Sequence, residues 1–235
     1  MTRSETIRRV GKVAAGTAAI AAAGYAAIAA RAWLRFGHAP RASTPADQDP
    51  LLDTFMPNYE IVERHRIAVN APASVTLEAA RRLDLANACV PRALFTARGM
   101  ILRAHAVPSP TGGLVAAMHQ IGWGVLADRP GQEIVFGAVT RPWESNPVFR
   151  SVPAAEFAGF RDPGFVKIAF TLRADAVGAD TSVFRTETRA LATDAGARRL
   201  FRRYWAMVSP GVAMIRLALL NPVNAAAERQ ARRAE

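Results

Sequence analysis

The sequence predicts an α+β domain in which an antiparallel sheet grips one long C-terminal helix, with a hydrophobic space between them. Three observations carry that prediction. From Asp194 to Leu220 the apolar residues Ala197, Leu200, Phe201, Tyr204, Trp205, Val208, Val212, Ile215 and Leu219 recur at helical spacing, with Arg198, Arg199, Arg202 and Arg203 between them. A helix with so greasy a stripe has to bury it against another layer. The segment before it is a series of apolar runs punctuated by turn residues, which supplies a sheet. The order is strand, short helices, several antiparallel strands and one long helix, the order of an α+β domain.

The elements follow from the N-terminus. Residues 1–12 form a basic tail, with Arg3, Arg8, Arg9 and Lys12 against Glu5. Val13 to Ala30 runs without a charge, and as a helix it would extend roughly 27 Å, near the thickness of a bilayer core. Arg31 and Arg35 close it, with Trp33 and Phe36 at interfacial positions, so residues 13–36 are expected to be a single-pass membrane anchor with the N-terminus inside. A cleaved signal peptide is the alternative, since Ala27-Ile28-Ala29 has the small-x-small form, and a soluble alanine-rich helix is the third reading. Residues 37–54 read as a linker, with Pro40, Pro45 and Pro50 among small polar residues. The folded domain is expected over 55–220, followed by a basic tail over 221–235.

Within the domain, Tyr59 to Val69 reads as the first strand, ending at Asn70-Ala71-Pro72. Ser74 is the expected N-cap of a first short helix carrying Glu78, in a stretch of helical composition that reaches about Arg103 and is broken by Pro91 and Gly99. Val115 to Ala127 is read as a strand leading into the turn Asp128-Arg129-Pro130-Gly131, with Glu133 to Thr140 as its hairpin partner. Residues 141–164 form a loop. Phe165 to Ala174 and Ser182 to Leu191 are two more strands, and Asp194 caps the long helix, which Pro210–Gly211 is expected to bend or split.

Composition narrows the function classes. The chain has 235 residues, 51% of them hydrophobic, enough for one good core. The net charge of +11 is almost all arginine, with Lys12 and Lys167 the two lysines. No basic run interleaves with exposed aromatics, so nucleic acid is not an expected partner. Cys89 is the single cysteine, which excludes an intrachain disulfide, and His38, His65, His105 and His119 have no metal-ligand spacing. Gly122-Trp123-Gly124 opens no strand–turn–helix unit and is read as glycines in a bent strand, not a dinucleotide loop. Neither metal nor cofactor is implied.

The run Tyr59-Glu60-Ile61-Val62-Glu63-Arg64-His65-Arg66-Ile67-Ala68-Val69-Asn70-Ala71-Pro72-Ala73-Ser74-Val75 resembles the opening of the START-like, or SRPBCC, superfamily of polyketide cyclase/dehydrase and lipid-transport proteins. The blocks Gly122-Trp123-Gly124, Phe136-Gly137-Ala138-Val139 and Phe184-Arg185-Thr186-Glu187-Thr188-Arg189, followed by the long helix, are similar to a bacterial, membrane-anchored branch of it. The resemblance covers residues 55–220. It implies a helix-grip fold, a curved antiparallel sheet wrapped around the C-terminal helix, and a pocket for an apolar ligand between them. It implies no particular reaction.

Candidate site residues come from polar groups on strands that ought to show an apolar face. If Ile67 and Val69 point inward, period-two alternation puts Tyr59, Ile61, Glu63 and His65 with them. In the last strand Arg185, Glu187 and Arg189 share one face, and Phe184, Thr186 and Thr188 the other. With first and last strands as neighbours, Glu63, His65 and Glu187 are the candidates for acid–base chemistry or for holding a head group. The competing reading is a solvated charge ladder on the outer face. Tyr59, Ile61, Trp123, Trp143, Phe170, Phe184, Thr186, Tyr204, Trp205 and Val208 are the expected ligand-lining residues, with core packing as the alternative role for the aromatics. The function expected is membrane-tethered binding of a lipid or other hydrophobic small molecule. The alternatives are a cyclase/dehydrase-type enzyme and a scaffold that binds nothing.

Overall fold

The computed structural model describes residues 47–83 and 112–233, together with 23–27, 30, 31, 34 and 44, and for 210, 213–216 and 218 only the helical backbone. Cys89, His38, His105, the basic tail 1–12 and the helical stretch expected to reach Arg103 lie outside, wholly or in part.

Five strands, β1 (Ile61–Val69), β2 (Gly124–Arg129), β3 (Glu133–Thr140), β4 (Val166–Ala176) and β5 (Ser182–Ala192), form one curved antiparallel sheet in the order β1-β5-β4-β3-β2. Two pairings are hairpins. The β2–β3 turn closes through Gln132 N–H on Arg129 C=O, with Gly131 at φ 77°, a left-handed conformation that favours glycine. β3 pairs with β4 across the intervening loop, and β1 lies antiparallel to β5, Ile61 opposite Ala190 and Val69 opposite Ser182, so first and last strands are neighbours. Among the described residues, the helices that accompany the sheet are α1 (Pro50–Phe55), α2 (Ala73–Arg81), α3 (Leu114–Gln120), α4 (Ala154–Phe157) and α5 (Ala195–Ala231).

Period-two alternation gives the sheet two unlike faces. One carries Ile67, Val69, Ile134, Phe136, Ala138, Phe170, Leu172 and Phe184, and packs against α2 and the far half of α5 through Leu220, Val223 and Ala227. The near half of α5 packs Phe201 and Trp205 on Ile61, Val166 and Ala190. The other face is covered by α1 and α4, where Leu51, Leu52, Met56 and Phe157 meet Leu126, Val135, Val139 and Ala169. Gly137 makes room there: a Cβ would stand 2.5 Å from Leu126 Cδ1 and 2.8 Å from Phe157 Cε2. This is an α+β helix-grip architecture.

Asp194 caps α5 as expected, accepting Ala197 N–H at 2.9 Å, and its other oxygen accepts Gly164 N–H. Those amides, Ala197 first, hold its carboxyl below the usual range. The helix differs from expectation in length. It continues through Pro210–Gly211 and past Leu220 to Ala231, because Leu220, Val223 and Ala227 recur at helical spacing and bury their side chains on the sheet. The strand expected over Val115 to Ala127 is two elements. Leu114–Gln120 is a helix, Gly122 turns the chain at φ 91°, and β2 starts at Gly124. The first short helix begins at Ala73 with Pro72 at the N-cap, two residues earlier than a Ser74 cap implies.

One expectation is overturned. Among the described residues, no helix is long and apolar enough to cross a membrane. The single-pass anchor over 13–36, membrane attachment through an N-terminal helix and a single-pass localisation are therefore withdrawn. The physical reason is composition: a run made mostly of alanine, with Gly16 and Gly24, offers little apolar surface per residue. Of that stretch, residues 23–27, 30, 31 and 34 are helical, and the others lie outside the described residues.

Candidate functional site

The helix-facing side of the sheet is not uniformly apolar. Along β1, the side chains on that face are Ile61, Glu63, His65, Ile67 and Val69; opposite them on β5 stand Ala190, Thr188, Thr186, Phe184 and Ser182. Ile61 and Ala190 belong to the apolar cluster under the near half of α5, whereas Ile67 and Phe184 belong to the cluster under the far half. Between the two lies a polar belt two residue pairs wide, Glu63 against Thr188 and His65 against Thr186. On β4 the belt is flanked by Phe170 and Leu172. Across the gap, Trp205 and Ser209 sit four residues apart on α5 and so share a stripe.

This belt is buried and short of partners. The Glu63 side chain is 1% exposed and that of His65 7%, with His65 Nε2 3.8 Å from Glu63 Oε1. Both Glu63 oxygens, the hydroxyls of Thr186, Thr188 and Ser209, and Trp205 Nε1 have no hydrogen-bond partner among the described residues. Thr140 Oγ1, further along the same face on β3, is in the same condition. An interior carboxylate without a hydrogen bond costs several kcal/mol, far more than a bland core position would tolerate. The polar groups are chemically complementary: the carboxylate accepts only, the indole N–H donates only, and the hydroxyls do both.

The sequence-derived candidates fall in different places. Ile61, Glu63, His65 and Thr186 share the helix-facing side of the sheet, and Trp205 faces them from α5, with Trp143, Tyr204 and Val208 packed around the Phe201–Trp205 cluster. Trp123, Phe170 and Phe184 lie in the far apolar cluster. There Trp123 stacks on Phe149 at 5.3 Å and meets Phe170 edge-on at 5.1 Å. Glu187 and Tyr59 lie on the opposite face. Arg64 Nε donates to Glu187 Oε2 at 2.8 Å and Arg64 Nη2 to Tyr59 Oη at 3.0 Å, so neither shares a cavity with Glu63. Tyr59 precedes β1, where alternation no longer fixes the side. Thr188 and Ser209 were not singled out from sequence; their signals were the alternation Thr186–Thr188 and the helical step from Trp205.

The outer face holds an ion-pair network instead. Arg189, 2% exposed, donates to Glu187 Oε1 at 2.7 Å and Met56 O at 2.8 Å, bonds Asp53 of α1, and stacks over the Tyr59 ring at 4.5 Å. Glu133 accepts from Thr171 Oγ1 at 2.7 Å; burial, with the Asp49 carboxyl beside it, raises its pKa to about 7. Lys167 lies under α4, donating to Ala158 O at 2.9 Å over the Phe157 ring, and burial followed by nearby Arg161 lowers it to about 8.

The strand order, with β1 beside β5 and the long helix across one face, decides the architecture. The fold is of the helix-grip type. No family model matches the chain, and no curated protein is similar to it. Similar solved structures include the di-domain aromatase/cyclase BexL, 17% identical over 71% of this chain and 46% of that one, with a TM-score of 0.27. The Zhui aromatase/cyclase from Streptomyces is 15% identical over 72% of this chain and 94% of its own, with a TM-score of 0.26. Norcoclaurine synthase from Thalictrum flavum, in complex with dopamine and hydroxybenzaldehyde, is 12% identical over 75% and 92%, with a TM-score of 0.25. The chain spans less than half the length of the di-domain protein. Superpositions this partial bring no ligand or activity with them, and none supports a membrane-anchored branch.

Proposed function

We propose that the space between sheet and α5 takes a small molecule with an apolar body and a polar group on the Glu63–His65 belt, and that the pair moves a proton on it. The observation that carries this reading is the buried Glu63 carboxylate, without a hydrogen-bond partner among the described residues, 3.8 Å from His65 Nε2. Apolar clusters on both sides of the belt supply the walls, and a walled site with a few convergent polar groups is the usual form of a small-molecule pocket.

The chemistry of the belt selects among ligands. Glu63 accepts hydrogen bonds, so hydroxyl- or carbonyl-bearing rings that also use the Thr186, Thr188 and Trp205 groups fit better than the carboxylate of a fatty acid. Of the expected readings, this favours the cyclase/dehydrase type over lipid carriage, with Glu63 as base and His65 completing the proton's return. Both of those reactions need a proton removed next to a carbonyl.

The test uses a generic ketone. In D2O, 2-tetralone exchanges its α-hydrogens when a base removes one and a deuteron is delivered to the same carbon, a balanced cycle visible by proton NMR. The wild-type chain is expected to accelerate exchange, and Glu63→Gln to lower the rate by about 10²–10⁴-fold. Equal rates for the two would end the enzymatic reading and leave a binding site.

A further inference from the structure

Two acidic side chains meet under the N-terminus of α1. Asp49, which caps that helix, and Glu133, at the start of β3, are 4% and 5% exposed. The Asp49 carboxyl stands beside that of Glu133, within reach of a hydrogen bond between the two. Two carboxyls bond one another only with a proton between them, so the pair is suited to holding one. Each has a second contact as well. Asp49 Oδ1 accepts Leu52 N–H at 2.8 Å, and Glu133 Oε1 accepts Thr171 Oγ1 at 2.7 Å.

The charges around the pair do not replace that proton. Arg129 on β2 and Arg173 on β4 are the cross-strand neighbours of Glu133, but the Arg173 guanidinium donates to Asp175 and to Gln48 C=O. On β5, Arg185 bonds Asp175, and Glu187 is taken by Arg64 and Arg189. Beside α1, Asp47 accepts from Thr44, and Asp53 pairs with Arg189. Burial, and after it the Asp49 carboxyl, raises Glu133 to about 7. Loss of the proton sets two negative charges side by side out of water, and one of them has to move. Glu133 is fixed in a strand paired on both sides. Asp49 heads a six-residue helix held by Leu51, Leu52 and Met56 and, at its far end, by Arg189 on Asp53 and Met56 C=O. The helix is the part that gives way.

We propose that α1 is a pH-sensitive latch on the outer face of the sheet, closed by one proton shared between Asp49 and Glu133 and loosened when that proton leaves. Closure is at full strength below 4.5, where Glu133 keeps its proton whether the latch is open or closed, and weakens as pH rises through about 7. Hydrogen–deuterium exchange of the full-length chain, read by mass spectrometry from pH 5 to 8 and corrected for the intrinsic pH dependence of amide exchange, tests it. Amides of α1 are expected to exchange faster than those of β4 and β5 and to respond little to dilute urea, as a local opening does. Their corrected rate is expected to rise roughly 10- to 100-fold between pH 5 and pH 8. Glu133→Gln, neutral at every pH, is expected to remove that rise. Asp49→Asn, which keeps a capping side chain, is expected to lessen it, and Glu144→Gln, at an exposed position, to retain it. A corrected rate that stays flat in wild type, α1 amides that track β4 and β5 in rate and urea response, or a rise unchanged in Glu133→Gln or Asp49→Asn would each overturn the proposal.

Discussion

Glu63 and Arg189 are both nearly inaccessible charges, and their opposite circumstances define what each contributes. Arg189 has every charged neighbour it needs: Glu187, Asp53, the Met56 carbonyl and the Tyr59 ring. Removing one member of such a set strands the others, so Arg189→Ala is expected to cost about 3–5 kcal/mol, read as a lower urea midpoint. A loss under about 1 kcal/mol would mean that water reaches Glu187 once the guanidinium is gone. Glu63 has no hydrogen-bond partner among the described residues, and its burial is a cost that the rest of the fold carries. Glu63→Gln removes the charge and keeps the shape, so it is expected to raise stability by about 1–3 kcal/mol while abolishing ketone exchange. Gains and losses in opposite directions are the signature of a group kept for chemistry; a destabilised variant would show that Glu63 holds the structure together instead.

At the scale of elements, α1 is tied to the outer face through its ends. Asp49 caps it by accepting Leu52 N–H at 2.8 Å, and the same carboxyl borders Glu133, while Arg173 and Arg129 are the cross-strand neighbours of Glu133. Burial, then Asp49, raises Glu133 to about 7 from an ordinary value of 4.5. A carboxyl whose folded-state value is raised stabilises the fold in full below its unfolded value, and that contribution is lost as pH climbs through about 7. Stability is therefore expected to fall between pH 4.5 and 7 on account of this group, and Glu133→Gln to flatten that slope in urea titrations across the range. The same elements show what was legible in the sequence. Ser182–Ala192 alternates so regularly that its faces follow from the sequence alone, and the alternation from Ile67 and Val69 puts Ile61, Glu63 and His65 on one side of β1. Glu187 was grouped with them because adjacency of β1 and β5 is not the same as register; a single step along the strand moves a side chain through the sheet. The strand expected over Val115 to Ala127 gives way to a helix at Leu114–Gln120 because seven residues are too few for helical and strand periods to separate.

At the scale of the whole molecule, the long helix is seated on two apolar clusters, with the polar belt of the sheet between them. Phe201 and Trp205 seat its first turns on Ile61 and Ala190, and Leu220, Val223 and Ala227 seat its last turns on the far cluster. That arrangement explains why α5 remains one helix through Pro210–Gly211: both flanks are packed, and packing outweighs the roughly 3 kcal/mol that an internal proline costs. Glu63, His65, Thr186 and Thr188 lie between these two apolar seats, where the apolar surface of the helix-facing side of the sheet is interrupted. The function proposed does not depend on a membrane anchor. Its central claim is that the gap is a ligand site whose polar contact is Glu63. Native mass spectrometry of the full-length chain with 2-naphthol and 2-naphthoate, in wild type and in Glu63→Leu, addresses that claim most directly. A one-to-one adduct with 2-naphthol is expected, with weaker retention of 2-naphthoate and a loss of about tenfold or more in 2-naphthol affinity when Glu63 becomes leucine. No adduct with either compound, or equal 2-naphthol binding by both proteins, would contradict it.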